Sequence, residues 1–180
     1  MNDKPLYRIS RAGLFAAIIC VCSFIAIPIG PVPITLALLC VMLSGIVLSP
    51  LEAVSATLVY VIIGALGLPV FSGGNGGIGV LLGPTGGYIW SYPLCALAVS
   101  LISRINVKNK FASFAVSFMG CMLGTALCYC AGTAQYMFVC NTNFYTAIIT
   151  CVLPFVAVDV LKSVAAILIG MPLRKKLNRV

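Results

Sequence analysis

The chain has no histidine, one tryptophan and three acidic residues among 180, and charged residues make up only 8% of it. A catalytic constellation needs positioned acids and bases, and those residue types are nearly absent. The phosphate-binding pattern G-x-x-x-x-G-K-[ST] is missing too, so ATP hydrolysis by that route is excluded. Eleven basic residues give a net charge of +8. They are not interleaved with aromatics on a polar surface, as a nucleic-acid patch would require, so no nucleic-acid partner is expected.

Apolar residues are what the chain has in plenty: 62% of it is hydrophobic, with a mean hydropathy of +1.16. That composition indicates an integral membrane protein rather than a soluble domain. A bilayer core of about 30 Å takes roughly 20 apolar residues per helix, which allows about six spans here. Breaks at Pro, Gly and polar clusters predict a single transmembrane domain over 1–180, an all-α bundle of six helices near 11–28, 34–49, 50–69, 86–105, 111–134 and 154–172. A shorter apolar piece, 144–152, precedes the last.

The first run, Gly13 to Ile29, has the length of a signal peptide, but no small-residue cleavage site leading into a polar chain follows it, so it is expected to remain as a helix. Eight of the nine cysteines lie in apolar runs, and no histidine accompanies them; they are expected to be small buried residues, not disulfides or metal ligands.

Charge sets the expected orientation. Lys4, Arg8 and Arg11, then Arg104, Lys108 and Lys110, then Arg174, Lys175, Lys176 and Arg179 fall at every second helix end, whereas the connections 29–33, 70–85 and 135–143 carry no basic residue. This asymmetry predicts both termini in the cytoplasm and attraction of the basic ends to anionic lipid.

The loop 70–85 is then external, and it is unusually long and soft: FSGGNGGIG, from Phe71 to Gly79, has five glycines in nine residues around Asn75, with Gly74 beside it. Apolar residues bracket the stretch, and a second turn, Gly83-Pro84-Thr85-Gly86-Gly87, follows. A solvated linker would carry Ser, Lys or Glu. Glycines instead let backbone approach a ligand closely, and non-helical backbone at membrane depth lines protein or a cavity, so this loop is expected to form a lid or pocket wall. Tyr88 stands beside it as a candidate wall residue.

Of the acids, Glu52 lies in Ser49-Pro50-Leu51-Glu52, which has the form of a capping box with proline at the first helical position. Asp159 differs. Three residues before Lys162, it is expected about 7 Å below the outer end of the last helix, and the two side chains leave one face. Such a pair inside a bilayer faces protein or a wet cavity, either as a bond between helices or as a ligand site. Small residues four apart, in Ala12-Gly13-Leu14-Phe15-Ala16 and Gly120-Cys121-Met122-Leu123-Gly124, permit close helix approach.

Six helices with both ends inside, the alanine pair on helix 1, the loop GLPVFSGGNGGIGVLLGPTGGY and VDVLK on helix 6 together resemble the BioY family, the biotin-specific S components of energy-coupling-factor (ECF) vitamin transporters. The resemblance covers essentially the whole chain. It implies a bacterial plasma-membrane protein, not an enzyme, that captures biotin outside and delivers it inward when docked on a transmembrane scaffold subunit with two ABC ATPase subunits. ATP would then be used only by those partners, with no cofactor or metal in this chain. By the same resemblance Asn75, Asp159 and Lys162 bind the bicyclic head of biotin, and Ala12 and Ala16 pack against the scaffold. A ureido ring offers two N–H donors and one carbonyl acceptor, which a carboxylate, an ammonium and a carboxamide can match.

Other readings are an S component for another small vitamin and a small secondary carrier using Asp159 and Lys162 as a relay. The carrier would be expected to show inverted repeats, and the two halves do not match. An intramembrane enzyme lacks a second buried acid, a histidine and a G-x-G-D motif.

Overall fold

Apolar runs punctuated by Pro, Gly and Asn fold as helices in the computed structural model, which describes residues 5–28, 32–107 and 109–177. In chain order these are α1 (Pro5–Ser23), the two-residue strands β1 (Ala26–Ile27) and β2 (Ile34–Thr35), α2 (Ala37–Val47), α3 (Pro50–Ala65), a 3-10 turn at Ser72–Gly74, α4 (Ile78–Leu81), α5 (Gly86–Ile102), α6 (Lys110–Cys140), α7 (Phe144–Cys151) and α8 (Leu153–Leu177). Lys4, Lys108, Arg179 and positions 29–31 of the first connection, which enter the charge pattern above, lie outside the described residues.

Helix ends differ from the spans read from sequence wherever backbone finds another partner. α1 ends at Ser23, short of 28, because Ala26 and Ile27 pair antiparallel with Thr35 and Ile34. The same pairing delays α2 to Ala37. α6 runs on past 134 to Cys140, where Asn141 adopts a left-handed conformation (φ 50°) that closes the helix. The apolar piece after it is a helix of its own, capped by Asn143 Oδ1 accepting from the Thr146 amide at 2.8 Å.

Among the described residues three helices, α1, α6 and α8, are long and apolar enough to cross a membrane; α2, α3 and α5 are apolar but shorter. Large hydrophobic side chains cover the outside, among them Leu14 and Val21 on α1, Trp90 and Leu94 on α5, Met119 on α6, and Leu161 and Leu168 on α8. The core is gathered around α2, nine of whose eleven residues are buried.

Glycine allows α5 and α6 to approach closely. A side chain at Gly124 would begin 2.7 Å from Cys95 Sγ, and one at Gly132 would overlap the Tyr88 ring. The expected small-residue stripe on α6 thus faces α5. Cys40, Cys95, Cys121, Cys128 and Cys151 are buried, but Cys130 is exposed, because the alternation across one helical turn puts it opposite Cys128's face.

The two ends of the bundle are built differently. At one, Ser49 caps α3, with Glu52 Oε2 accepting from the Ser49 amide at 2.8 Å and Ser49 Oγ accepting from the Glu52 amide at 3.4 Å, the capping box expected from the sequence. Here also Arg104 Nη2 donates to the Leu48 carbonyl at 2.6 Å and Arg174 Nη1 to the Ser103 carbonyl at 2.8 Å, tying together the ends of α2, α5 and α8. Burial lowers the Arg104 guanidinium pKa from its ordinary value, opposed by the nearby Glu52 carboxylate. The β1–β2 pair and the glycine-rich loop occupy the other end.

Gly124→Leu is expected to destabilise the bundle by about 1–3 kcal/mol through overpacking. Gly13→Leu, at a site with nothing within 4 Å, is expected to change stability by less than about 0.5 kcal/mol. Thermal unfolding in detergent measures both; equal losses would refute the α5–α6 seam.

Candidate functional site

A cavity of about 420 Å³ opens at the end with the glycine-rich loop. Its size falls within the range of about 300–1,000 Å³ occupied by small-molecule sites. Ser23 at the end of α1, Thr35 of β2, Leu38 of α2, Tyr60 of α3, Asn75 of the loop, Tyr88 and Tyr92 of α5, Tyr129 of α6, and Asp159 and Lys162 of α8 line it.

The charged wall follows from helical spacing. Asp159 and Lys162, three apart, leave the inward face of α8 with side chains only 4% and 7% exposed, and Lys162 Nζ lies 2.7 Å from Asp159 Oδ1. The Tyr129 hydroxyl donates to Asp159 Oδ2 at 2.7 Å, so both carboxylate oxygens are engaged. Ser163 Oγ, donating to the Asp159 carbonyl at 2.7 Å, steadies the same turn. Nζ of Lys162 has three N–H groups, and among the described residues only one is used. The cluster therefore presents donors and acceptors to the cavity at fixed positions, in surroundings that strengthen each hydrogen bond.

The remaining wall is mostly aromatic. Tyr60 and Tyr92 stack at 6.1 Å between ring centroids, and Phe71, fully buried, meets Tyr60 edge-on at 5.5 Å. The Ser23 hydroxyl donates to Tyr60 Oη at 2.9 Å. Flat apolar rings beside a small polar cluster suit a ligand with a polar head and a hydrocarbon body.

The loop is folded, not slack. The Phe71 amide donates to the Asn75 carbonyl and the Gly74 amide to the Phe71 carbonyl, at 2.9 and 3.0 Å. This tight turn requires positive φ at Gly73 and Gly74 (70° and 76°), which a residue with a Cβ rarely adopts. Asn75 Nδ2 donates to the Ser72 carbonyl at 2.8 Å, leaving Oδ1 without a partner among the described residues. Farther along, Gln135 Nε2 donates to the Leu81 and Gly83 carbonyls, both at 2.8 Å, and Trp90 Nε1 donates to Leu81 at 3.2 Å. These bonds pin the loop's second half to α5 and α6.

Asn75, Asp159, Lys162 and Tyr88 thus meet at one cavity, although Tyr88 lends only its ring, its hydroxyl donating to the Cys151 carbonyl at 2.8 Å. Gly74 does not line the cavity; it shapes the turn that presents Asn75. Ala12 and Ala16 also depart from expectation: at 8% and 2% exposure they face into the bundle. The small residues on the outer face of α1 are one position further on, Gly13 and Ala17. Tyr129 and Gln135 carry site contacts that the sequence does not flag. Tyr129 reads as one more aromatic in an apolar run, and Gln135 falls in a stretch expected to be loop, where a polar amide draws no notice.

Comparison with known proteins agrees with this arrangement. Residues 1–179 match the BioY family. The protein named biotin transporter BioY from Thermotoga maritima is 39% identical over 173 residues, 93% of this chain and 96% of that protein. Biotin transporter BioY2 from Lactococcus lactis subsp. cremoris is 35% identical over 99% of this chain and 96% of its own. The crystal structure of an S component for biotin from an ECF-type ABC transporter superposes with a TM-score of 0.86 at 26% identity, covering 97% of this chain and 94% of the other. Another S component of a bacterial ECF transporter shares the fold, at a TM-score of 0.56 and 17% identity over 98% of each chain. With a match along nearly its full length and relatives well above 30% identity, the chain belongs to the BioY family.

Proposed function

We propose that this chain is a biotin-binding S component: it captures biotin at the outer face of a bacterial plasma membrane and delivers it inward with an ATP-driven ECF module. The observation that carries this reading is the buried Asp159–Lys162 pair on the wall of an aromatic cavity, in a family whose relatives are named biotin transporters. The ammonium supplies donors for a ureido carbonyl, and the carboxylate accepts a ureido N–H. Asn75 adds a polar contact from the loop, and the tyrosine rings enclose the thioether ring and valeryl chain. A ligand without the ureido pattern leaves buried polar groups unpaired, which is how such a site discriminates.

In this reading the bundle crosses the bilayer six times, α2, α3 and α5 being short spans sheltered by longer neighbours. The end with Arg104, Arg174, Lys175 and Lys176 faces the cytoplasm, as the distribution of basic residues favours. The cavity then faces outward. The chain needs partners for energy, since it has no phosphate loop. We assign the scaffold subunit to the lipid-facing side of α1 around Gly13 and Ala17, since Ala12 and Ala16 are taken up by the bundle's own packing.

Calorimetric titration of purified protein with biotin tests the reading, together with mass spectrometry of small molecules retained through purification. Binding of biotin is expected; retention of a different vitamin, with no heat from biotin, would overturn it. Asp159→Asn and Lys162→Ala should each raise Kd about ten- to a hundred-fold, the range for charge-assisted hydrogen bonds, and Asn75→Ala about two- to ten-fold. The double variant Asp159→Asn, Lys162→Met removes the unpaired charge, so that lost affinity can be told from lost folding. Gly13→Leu and Ala17→Leu are expected to leave biotin binding within about two-fold and to abolish uptake by cells containing the module; unaltered uptake would reject that docking face.

A further inference from the structure

The end of the bundle remote from the cavity carries a charge cluster that the ligand site does not use. Here the last turn of α8, with Arg174, Lys175 and Lys176, comes up to Arg104. The acid described at this end is Glu52, and its Oε2 already accepts from the amide and the hydroxyl of Ser49, each at 2.8 Å. Among the described residues neither arginine has a carboxylate within 4 Å. Backbone and hydroxyl oxygens hold them instead. Arg104 donates from Nη2 to the Leu48 carbonyl and from Nε to Ser100 Oγ, at 2.6 and 3.3 Å. Arg174 donates from Nη1 to the carbonyl of Ser103, the residue just before Arg104, which brings the two guanidiniums near enough for each to feel the other's charge. A guanidinium has five N–H groups in a planar fork, so most donors of the two forks are unspent while both side chains are fixed in place.

Two like charges held side by side with donors to spare fit one anion with several acceptor oxygens. A phosphate takes a bond from each fork and offsets their mutual repulsion. The neighbouring side chains indicate what carries that phosphate. Leu101 and Ile105, on either side of Arg104 in the chain, and Leu173, beside Arg174, are exposed and aliphatic. A free phosphate or a polar acidic peptide would leave them in water, whereas acyl chains cover them. We infer that Arg104 and Arg174 form a headgroup site for an anionic phospholipid, whose phosphodiester bridges the two guanidiniums while its glycerol and upper acyl chain lie on Leu101, Ile105 and Leu173. Lys175 and Lys176, exposed on the same turn, add attraction for a net negative headgroup without fixing its position. The site is independent of the biotin reading. It places lipid where the ends of α2, α5 and α8 already meet.

Native mass spectrometry of the purified chain in detergent, titrated with phosphatidylglycerol or phosphatidylcholine of the same acyl chains, tests this. Wild type is expected to bind phosphatidylglycerol at least about ten-fold more tightly, and the double variant Arg104→Gln, Arg174→Gln to lose about ten-fold or more of that affinity, the worth of two charge-assisted hydrogen bonds. Lys175→Gln with Lys176→Gln changes net charge equally and should cost less than about three-fold. Equal losses in the two double variants, or no preference for phosphatidylglycerol in the wild type, would overturn the site. Displacement of the lipid by glycerol phosphate at comparable concentration would assign the cluster to a soluble phosphate. Unchanged lipid affinity in the arginine variant, with loss of assembly with partner subunits, would assign it to an acidic protein surface; either result overturns the lipid assignment. The arginine substitutions also cut bonds to backbone, so Arg174→Lys serves if the double variant does not unfold cooperatively. It keeps the charge and loses the fork, and is expected to cost about three- to ten-fold in phosphatidylglycerol affinity; wild-type affinity there would equally overturn the site.

Discussion

Two opposite charges held 2.7 Å apart inside an apolar bundle constrain the rest of the structure. Each ion alone would cost several kcal/mol to remove from water, and attraction within the pair offsets this only if the remaining polar valences are filled. Placing both on consecutive turns of one helix makes the partnership local, so it does not depend on finding a distant partner during folding. It also fixes the rotation of α8. With Asp159, Lys162 and Ser163 turned inward, Leu161, Leu168 and Ile169 are turned out, as a helix bathed in lipid requires. α6 must then approach closely enough for Tyr129 to reach the carboxylate, and its glycines make that approach possible along α5.

The ends of the molecule answer to different demands. Arginine side chains fasten one end, each donating to the carbonyl of another segment, so C-terminal helix carbonyls that would otherwise lack donors are satisfied by guanidinium groups. The opposite end is held by neutral hydrogen bonds: a short strand pair, a glycine turn, and two side-chain donors converging on Leu81. Stability is unevenly distributed in such a design, and the region that must admit a ligand is the one with weaker fastenings. Within the loop the division is finer still. Its second half is bonded to α5 and α6, whereas the arc through Gly73 and Gly74 is held mainly by its own backbone.

Much of this was legible in the residues. Capping of α3 by Ser49 and Glu52 follows from four consecutive residues, and the pairing of Asp159 with Lys162 from a spacing of three; both are local patterns with little freedom once a helix forms. The family resemblance was carried by the loop and by that pair. Less visible was anything decided between helices. Tyr129 lies thirty residues from Asp159, and nothing near it in sequence distinguishes it from Tyr136, which is buried within an apolar cluster that Tyr129 only flanks. The alanines of α1 illustrate the same limit: small residues four apart mark a stripe, but Ala12/Ala16 and Gly13/Ala17 are equally good stripes, and only the direction of the neighbouring helices separates the inward one from the outward one. Helix lengths erred where strand pairing or an asparagine end-cap replaced the expected stop.

The eleven residues of α2 extend about 16 Å, roughly half the thickness of a bilayer's hydrocarbon core. A full span in its place would occupy about 14 Å more of a cylinder about 10 Å wide, or on the order of 1,100 Å³. The chain leaves that volume unfilled by helix: α2 starts at Ala37, the strand pair bends away above it, and Thr35 and Leu38 become part of the cavity wall. The pocket is thus the absence of two to three helical turns at the centre of the bundle, roofed by the glycine-rich loop. Lengthening α2 upward would fill the site from below, turning the wall now formed by Ile34 and Thr35 into helix.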